Sequence, residues 1–160
     1  MRIPLGILFV AVFALTGCAT MIGHGRPWPK NTTSFVPKTS FHTSEPAVFH
    51  GVLQAFTDNH VVPASANTTT GVIVSHWIPG PNMMSYAALS YIGPEKTRYR
   101  FMVTVVPSGA GFVKVRVKTN IQEGGVSLVS WSSITASHPK TSKQLTSWML
   151  ANIDRAMGVS

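Results

Sequence analysis

Two neighbouring stretches of this chain alternate almost strictly between apolar and polar residues. From Lys96 to Val105, the positions Tyr99, Phe101, Val103 and Val105 share one parity, and Lys96, Arg98, Arg100, Met102 and Thr104 share the other. From Phe112 to Asn120, Val113, Val115 and Val117 alternate with Lys114, Arg116 and Lys118. A period of two predicts strands, over Thr97–Val106 and Phe112–Asn120, with one face in a core and one in water. Pro107-Ser108-Gly109-Ala110-Gly111 lies between them and predicts a hairpin. For the apolar faces to match, paired positions must sum to an even number. A three-residue loop at Ser108-Gly109-Ala110 satisfies this and sets Arg100 opposite Lys118 and Met102 opposite Arg116.

Weaker patterns flank the hairpin. Residues 45–60 place Val48, Phe49, Val52, Leu53, Ala55 and Phe56 at helical spacing. Ser44 stands as the N-cap, with Glu45 and Pro46 in the first turn, where a negative charge and a preset φ both favour a helix. Strands are expected over Thr69–Ile78, ended by Pro79-Gly80-Pro81, over Ser85–Ile92, and over Gly125–Ile134. The last helix is expected over Ser142–Met157, with Thr141 and Gln144 as a capping box and Gly158 as the stop. Its apolar stripe is Leu145, Trp148, Met149, Ile153, Ala156 and Met157. The order predicts an α+β two-layer sandwich: an antiparallel meander of four to five strands with an N-terminal and a C-terminal helix on one face. Phe101, Val103, Val115, Val52, Phe56 and Trp148 are the expected centre of the core.

The N-terminus has a different texture. Met1-Arg2 precedes an apolar run from Ile3 to Ala14, shorter than the roughly 20 residues that span a bilayer and suited to a signal peptide. Leu15-Thr16-Gly17-Cys18 follows, and Cys18 is the single cysteine of the chain. This pattern resembles the lipobox of bacterial lipoproteins. The resemblance implies cleavage before Cys18 and acylation of its sulfur and usually of its new amino group. Several acyl chains anchor firmly where one does not, at about 0.8 kcal/mol per buried CH₂. Ala19-Thr20 lacks the Asp that would favour inner-membrane retention in Gram-negative lipoproteins, so in such a host the expected location is the outer membrane, facing the periplasm. The expected organisation is a signal peptide at 1–17, a lipidated Cys and flexible tether at 18–44, and one domain at 45–160. Pro27, Pro29 and Pro37 and the lack of apolar periodicity mark the tether. Met21, Trp28, Phe35 and Phe41 within it serve either to pack on the domain or to meet a partner.

Composition narrows the chemistry. The 160 residues carry 13 Lys and Arg against 5 Asp and Glu, for a net charge of +8. One cysteine excludes an internal disulfide framework and a Cys-rich metal module. The carboxylates Glu45, Asp58, Glu95, Glu123 and Asp154 are scattered, and neither a nucleophile elbow nor a Gly-rich phosphate loop is present. The histidines, at 24, 42, 50, 60, 76 and 138, lack metal-ligand spacing. No enzyme, cofactor or metal site is expected. Lys96, Arg98, Arg100, Lys114, Arg116 and Lys118 all fall on the polar face of the hairpin. Two readings stand: a solvated face, or a surface for an anionic partner such as lipid headgroups, a glycan or an acidic envelope protein. Nucleic acid does not suit an acylated periplasm-facing chain.

The strand Thr69-Thr70-Gly71-Val72-Ile73-Val74-Ser75-His76-Trp77-Ile78, set between a short helix and a long hairpin and closed by an amphipathic helix, resembles domains of the accessory lipoprotein C of the outer-membrane β-barrel assembly machinery. The resemblance covers residues 45–158. It implies a non-catalytic accessory module on a lipid anchor, and the leading reading is a module that binds another envelope protein. The alternative is a carrier or sensor of an anionic or lipidic ligand, which calls for an apolar cavity between Trp148, Phe56 and the sheet.

Overall fold

The computed structural model describes residues 27–30, 36–87, 90–124 and 130–158, with residues 83–87 and 90–95 described by their backbone. The lipobox, Met21, His24 and Phe35 lie outside the described residues. In chain order the elements are β1 (Ser40–His42), α1 (Glu45–Asp58), β2 (Pro63–Asn67), β3 (Val72–Ser75), β4 (Ile78–Pro79), β5 (Met83–Ala87), β6 (Ser90–Pro107), β7 (Phe112–Gly124), β8 (Trp131–Ser133) and α2 (Pro139–Ala156). Every pairing is antiparallel, and the main path of the sheet runs β1-β7-β6-β3-β2. The 18-residue β6 is its spine: β7 takes one edge, while β3, β4 and β5 take successive stretches of the other. The two helices pack on each other, α1 on β6 and α2 on β7. This is the expected α+β sandwich, but with eight described strands in place of the expected meander of four to five, because short strands pair along both edges of the β6–β7 hairpin.

The core follows the parity of the hairpin. Tyr99, Phe101, Val103 and Val105 of β6, Val113, Val115 and Ile121 of β7, and Ile73 of β3 are buried beneath Val48, Val52 and Phe56 of α1 and Leu145, Met149 and Ile153 of α2. Trp148 is half-buried and stacks on Phe101, with ring centroids 5.9 Å apart.

The register departs from the expectation by two residues. The loop is Gly109-Ala110-Gly111, not Ser108-Gly109-Ala110, and Ser108 N–H donates to the Phe112 carbonyl across its base. All three loop residues have positive φ, at 79°, 47° and 77°. Glycines on either side of Ala110 make that left-handed path inexpensive. Pairs now sum to 220, still even, so the buried face is unchanged but the cross-strand partners are not: Arg100 faces Asn120, Met102 faces Lys118, and Thr104 faces Arg116. The expected opposition of Arg100 and Lys118 does not occur.

Helix ends also differ. α1 stops at Asp58, two residues before the expected His60, because the Asn59 side chain donates to the Ala55 carbonyl and His60 turns to φ +55°. Ser44 holds the N-cap position, but its side chain makes no capping bond. α2 begins at Pro139, not Ser142, with His138 as its N-cap. The proline is preset for a first helical turn, so the Thr141–Gln144 capping box is not used; Gln144 instead donates to the carbonyl of Pro29. The expected Thr69–Ile78 strand is divided into β3 and β4, and its first residues form the turn of a β2–β3 hairpin. There Asn67 Oδ1 accepts the N–H groups of Thr69 and Thr70. β2, Pro-Ala-Ser-Ala-Asn, is exposed throughout and carries no alternation. Of the expected Gly125–Ile134 strand, β8 is the described part and residues 125–129 lie outside it.

The segment read as a tether contributes to the domain. Phe41, in β1, is buried in the core. Trp28 packs on Tyr99 with centroids 5.5 Å apart. The Lys38 N–H donates to Oδ2 of the buried Asp154 on α2 at 3.0 Å, while Oδ1 has no hydrogen-bond partner among the described residues. Trp28, Lys38 and Phe41 thus tie parts of this segment to the sheet and to α2.

Candidate functional site

The face of the sheet turned away from the helices carries all six expected cations, but in two different settings. Lys114, Arg116 and Lys118 of β7 are exposed. Their cross-strand partners on β6 are Val106, Thr104 and Met102, so none of the three faces another charge directly across the hairpin. Lys96, at the other end of the face, is exposed opposite Gly124.

Arg98 and Arg100 are half-buried, contrary to the expectation that they stand free in water. The Arg98 guanidinium lies 3.8 Å from the ring centroid of Trp131 and 4.5 Å from that of Trp77. Its Nε and Nη2 donate to Oε1 of Gln122, the residue directly opposite, at 2.9 and 2.7 Å. Arg100 lies 4.6 Å from the Trp77 centroid, and its Nε is buried with no hydrogen-bond partner among the described residues. Burial first, then the charge of Arg100, hold the Arg98 guanidinium below its usual pKa.

The backbone explains how two tryptophans 54 positions apart reach one arginine. Trp77 precedes β4, which pairs with β6 at Tyr99 and Arg98. Trp131 opens β8, which pairs with the far edge of β7 at Gly124. β4 and β8 therefore bring a ring in from each side of the hairpin. Gly124 matters here because the Trp131 ring sits 3.2 Å from where a Cβ would be. A groove of about 300 Å³ opens beside the cluster, lined by Trp77, Gly80, Lys96, Arg98 and Trp131 among others. Sequence reasoning found the cations and missed Trp77, Trp131 and Gln122. The available signal was the pair of tryptophans at the ends of short strands flanking the hairpin.

These settings predict different costs of substitution. Arg116→Gln should change stability by less than about 0.5 kcal/mol, as for exposed positions in general. Arg98→Gln should cost about 1–2 kcal/mol, because it removes a stacked, partly desolvated guanidinium and its two bonds to Gln122. Urea denaturation of the two variants beside the wild type checks this, and equal stabilities would mean that the stack contributes nothing.

The other candidate residues stay apart. His42 meets the edge of Phe112, His50 and His76 are exposed, and His138 caps α2. Among the described residues, no group of three or more His, Cys, Asp or Glu is placed to hold a metal ion. A second groove, about 410 Å³, lies between Pro27–Pro29 and the end of α1, lined by Trp28, Tyr99, Trp148, Val61 and Ile78 among others. No described helix is long and apolar enough to cross a membrane.

No protein-family model matches the chain. No curated protein matches it. Among solved structures it is similar to a DUF4468 family protein from Bacteroides ovatus, at 16% identity and a TM-score of 0.35, over 76% of this chain and 83% of that one. At that identity and score the similarity bears on neither site nor activity.

Proposed function

We propose that this chain is a lipoprotein, anchored through acylated Cys18 in the outer membrane and facing the periplasm, that serves as a non-catalytic interaction module of an envelope complex. The observation that carries this reading is the motif Leu15-Thr16-Gly17-Cys18 behind Arg2 and a short apolar run, with the sole cysteine at the acceptor position. The domain supports it by what it does with its two faces. The inner face is largely spent on packing: Phe56 and Phe101 are fully buried and Trp148 stacks on Phe101, which leaves for the alternative, a carrier, only the groove beside Trp28, Tyr99 and Trp148. The outer face presents Lys114, Arg116 and Lys118 to an anionic partner.

The test is lipid labelling, followed by crosslinking and co-purification from intact envelopes. Wild type should incorporate labelled fatty acid and retain an envelope partner. Cys18→Ser should abolish the label and leave uncleaved precursor or free periplasmic protein. A Cys18→Ser chain that is still processed and labelled would overturn the anchor. A labelled wild type that brings down no partner would overturn the module.

A further inference from the structure

The two ends of the cationic face are not equivalent with respect to the place where the chain enters the domain. Pro27-Trp28 is the first described segment, and the Trp28 ring lies against Gly80, 2.9 Å from where a Cβ would be. Gly80 also lines the groove beside Trp77, Lys96, Arg98 and Trp131. Nine peptide steps separate Cys18 from Pro27, a reach of at most about 30 Å when fully extended. Lys114 lies ten residues along β7 from Gly124, the partner of Lys96, which is about 33 Å at strand rise. With Cys18 in the bilayer, the groove end of the face is tethered within about 30 Å of the membrane, and the Lys114 end lies a further strand length from that attachment.

We propose that this end of the sheet, with Lys96, Arg98, Arg100, Trp77 and Trp131, docks on the surface of a bilayer containing anionic phospholipid. The proposal rests on the anchored reading above. Charge complementarity supports it: Lys96 and Arg98 line the groove and Arg100 stacks on Trp77 beside it, and the field of an anionic surface is screened over about 8 Å at physiological salt, so only the near end of the sheet feels it. The residue types suit a headgroup layer, where tryptophan places an apolar ring and a polar N–H across the boundary between lipid and water. The geometry suits it as well. Stacking on the tryptophans and pairing with Gln122 hold Arg98 in place before contact, so little rotamer freedom remains to be lost.

The experiment uses the chain from residue 18 onward with Ser in place of Cys18, which contains every described element and no acyl group. Its partitioning is measured onto vesicles of equal parts phosphatidylglycerol and phosphatidylcholine, with pure phosphatidylcholine as the control. Lys96 is exposed, so Lys96→Glu keeps the fold, which thermal melting verifies. A cation near such a surface is worth roughly fivefold in partitioning, so this two-charge reversal should lower it by about tenfold or more. The same reversal at the far end, Lys114→Glu, should lower it less than about twofold. Brominated phosphatidylglycerol should quench tryptophan emission, and Trp131→Phe should remove part of the quenching. Equal losses for the two charge reversals, equal binding to both vesicle types, or an absence of quenching would overturn the proposal. Lipid labelling of Cys18 in cells separates the two ideas. A labelled chain that fails the vesicle test refutes docking alone. An unlabelled chain that passes it refutes the anchor alone.

Discussion

Phe101→Ala is expected to lower the free energy of unfolding by about 3–5 kcal/mol, as read by urea denaturation. Phe101 is fully buried at the middle of the long strand β6, in the core that β6 shares with α1 and α2. Removing the ring withdraws its apolar surface from the core and leaves a cavity walled by rigid elements. It also ends the stack with Trp148 and the edge contact with Tyr99, whose centroid is 5.6 Å away. Trp148→Ala should cost less, about 2 kcal/mol, because that ring is half-buried and part of its surface is already wet. A domain of this size has about 5–15 kcal/mol in hand, so Phe101→Ala removes a large share of it. A loss below about 1 kcal/mol would mean that the inward face of β6 is other than the one described.

Alternation alone identifies that inward face, and the reason is physical. A strict period of two over the hairpin leaves only one way to bury Tyr99, Phe101, Val103, Val113 and Val115 together, and a slip of two residues does not disturb it. The same insensitivity hid the register. Whether the loop is centred on Gly109 or on Ala110 depends on which residues take positive φ, and Gly109-Ala110-Gly111 does so as a unit. That small difference decides that Arg100 faces Asn120 and not a lysine. β2 escaped detection because its strand pairing with β3 is made by backbone alone, with every side chain exposed. The six cations of the candidate site were legible from parity. Their division into four exposed cations, Arg116 among them, and the two stacked arginines Arg98 and Arg100 was not, because Trp77 and Trp131 reach Arg98 only through β4 and β8, short strands attached to opposite edges of the hairpin. Asp154, buried on a helix face that periodicity marks as polar, belongs to the same class: its partner, the Lys38 N–H, arrives from 116 positions away.

Gly71 and Gly109 provide the second large effect, as a contrast. Both have positive φ, at 64° and 79°, and both close a turn between antiparallel strands. Alanine at either position should therefore meet a similar backbone penalty, about 1–2 kcal/mol for the left-handed region. The surroundings are opposite. A Cβ on Gly109 would have nothing within 4 Å. A Cβ on Gly71 would fall inside contact distance of the Val105 carbonyl oxygen, with the Glu45 carboxylate 3.3 Å away. Gly71 cannot move aside cheaply, since its own carbonyl accepts the Val105 N–H at 2.8 Å and that bond joins the β2–β3 turn to the spine of the sheet. Gly109→Ala should thus cost about 1 kcal/mol, while Gly71→Ala should add an overpacking cost and a weakened hydrogen bond, for a total of about 3–4 kcal/mol. Denaturation of the two variants under one set of conditions measures the difference. Equal destabilisation would show that β3 docks on β6 without the close approach at Gly71, and that the turn contributes only its dihedral angle.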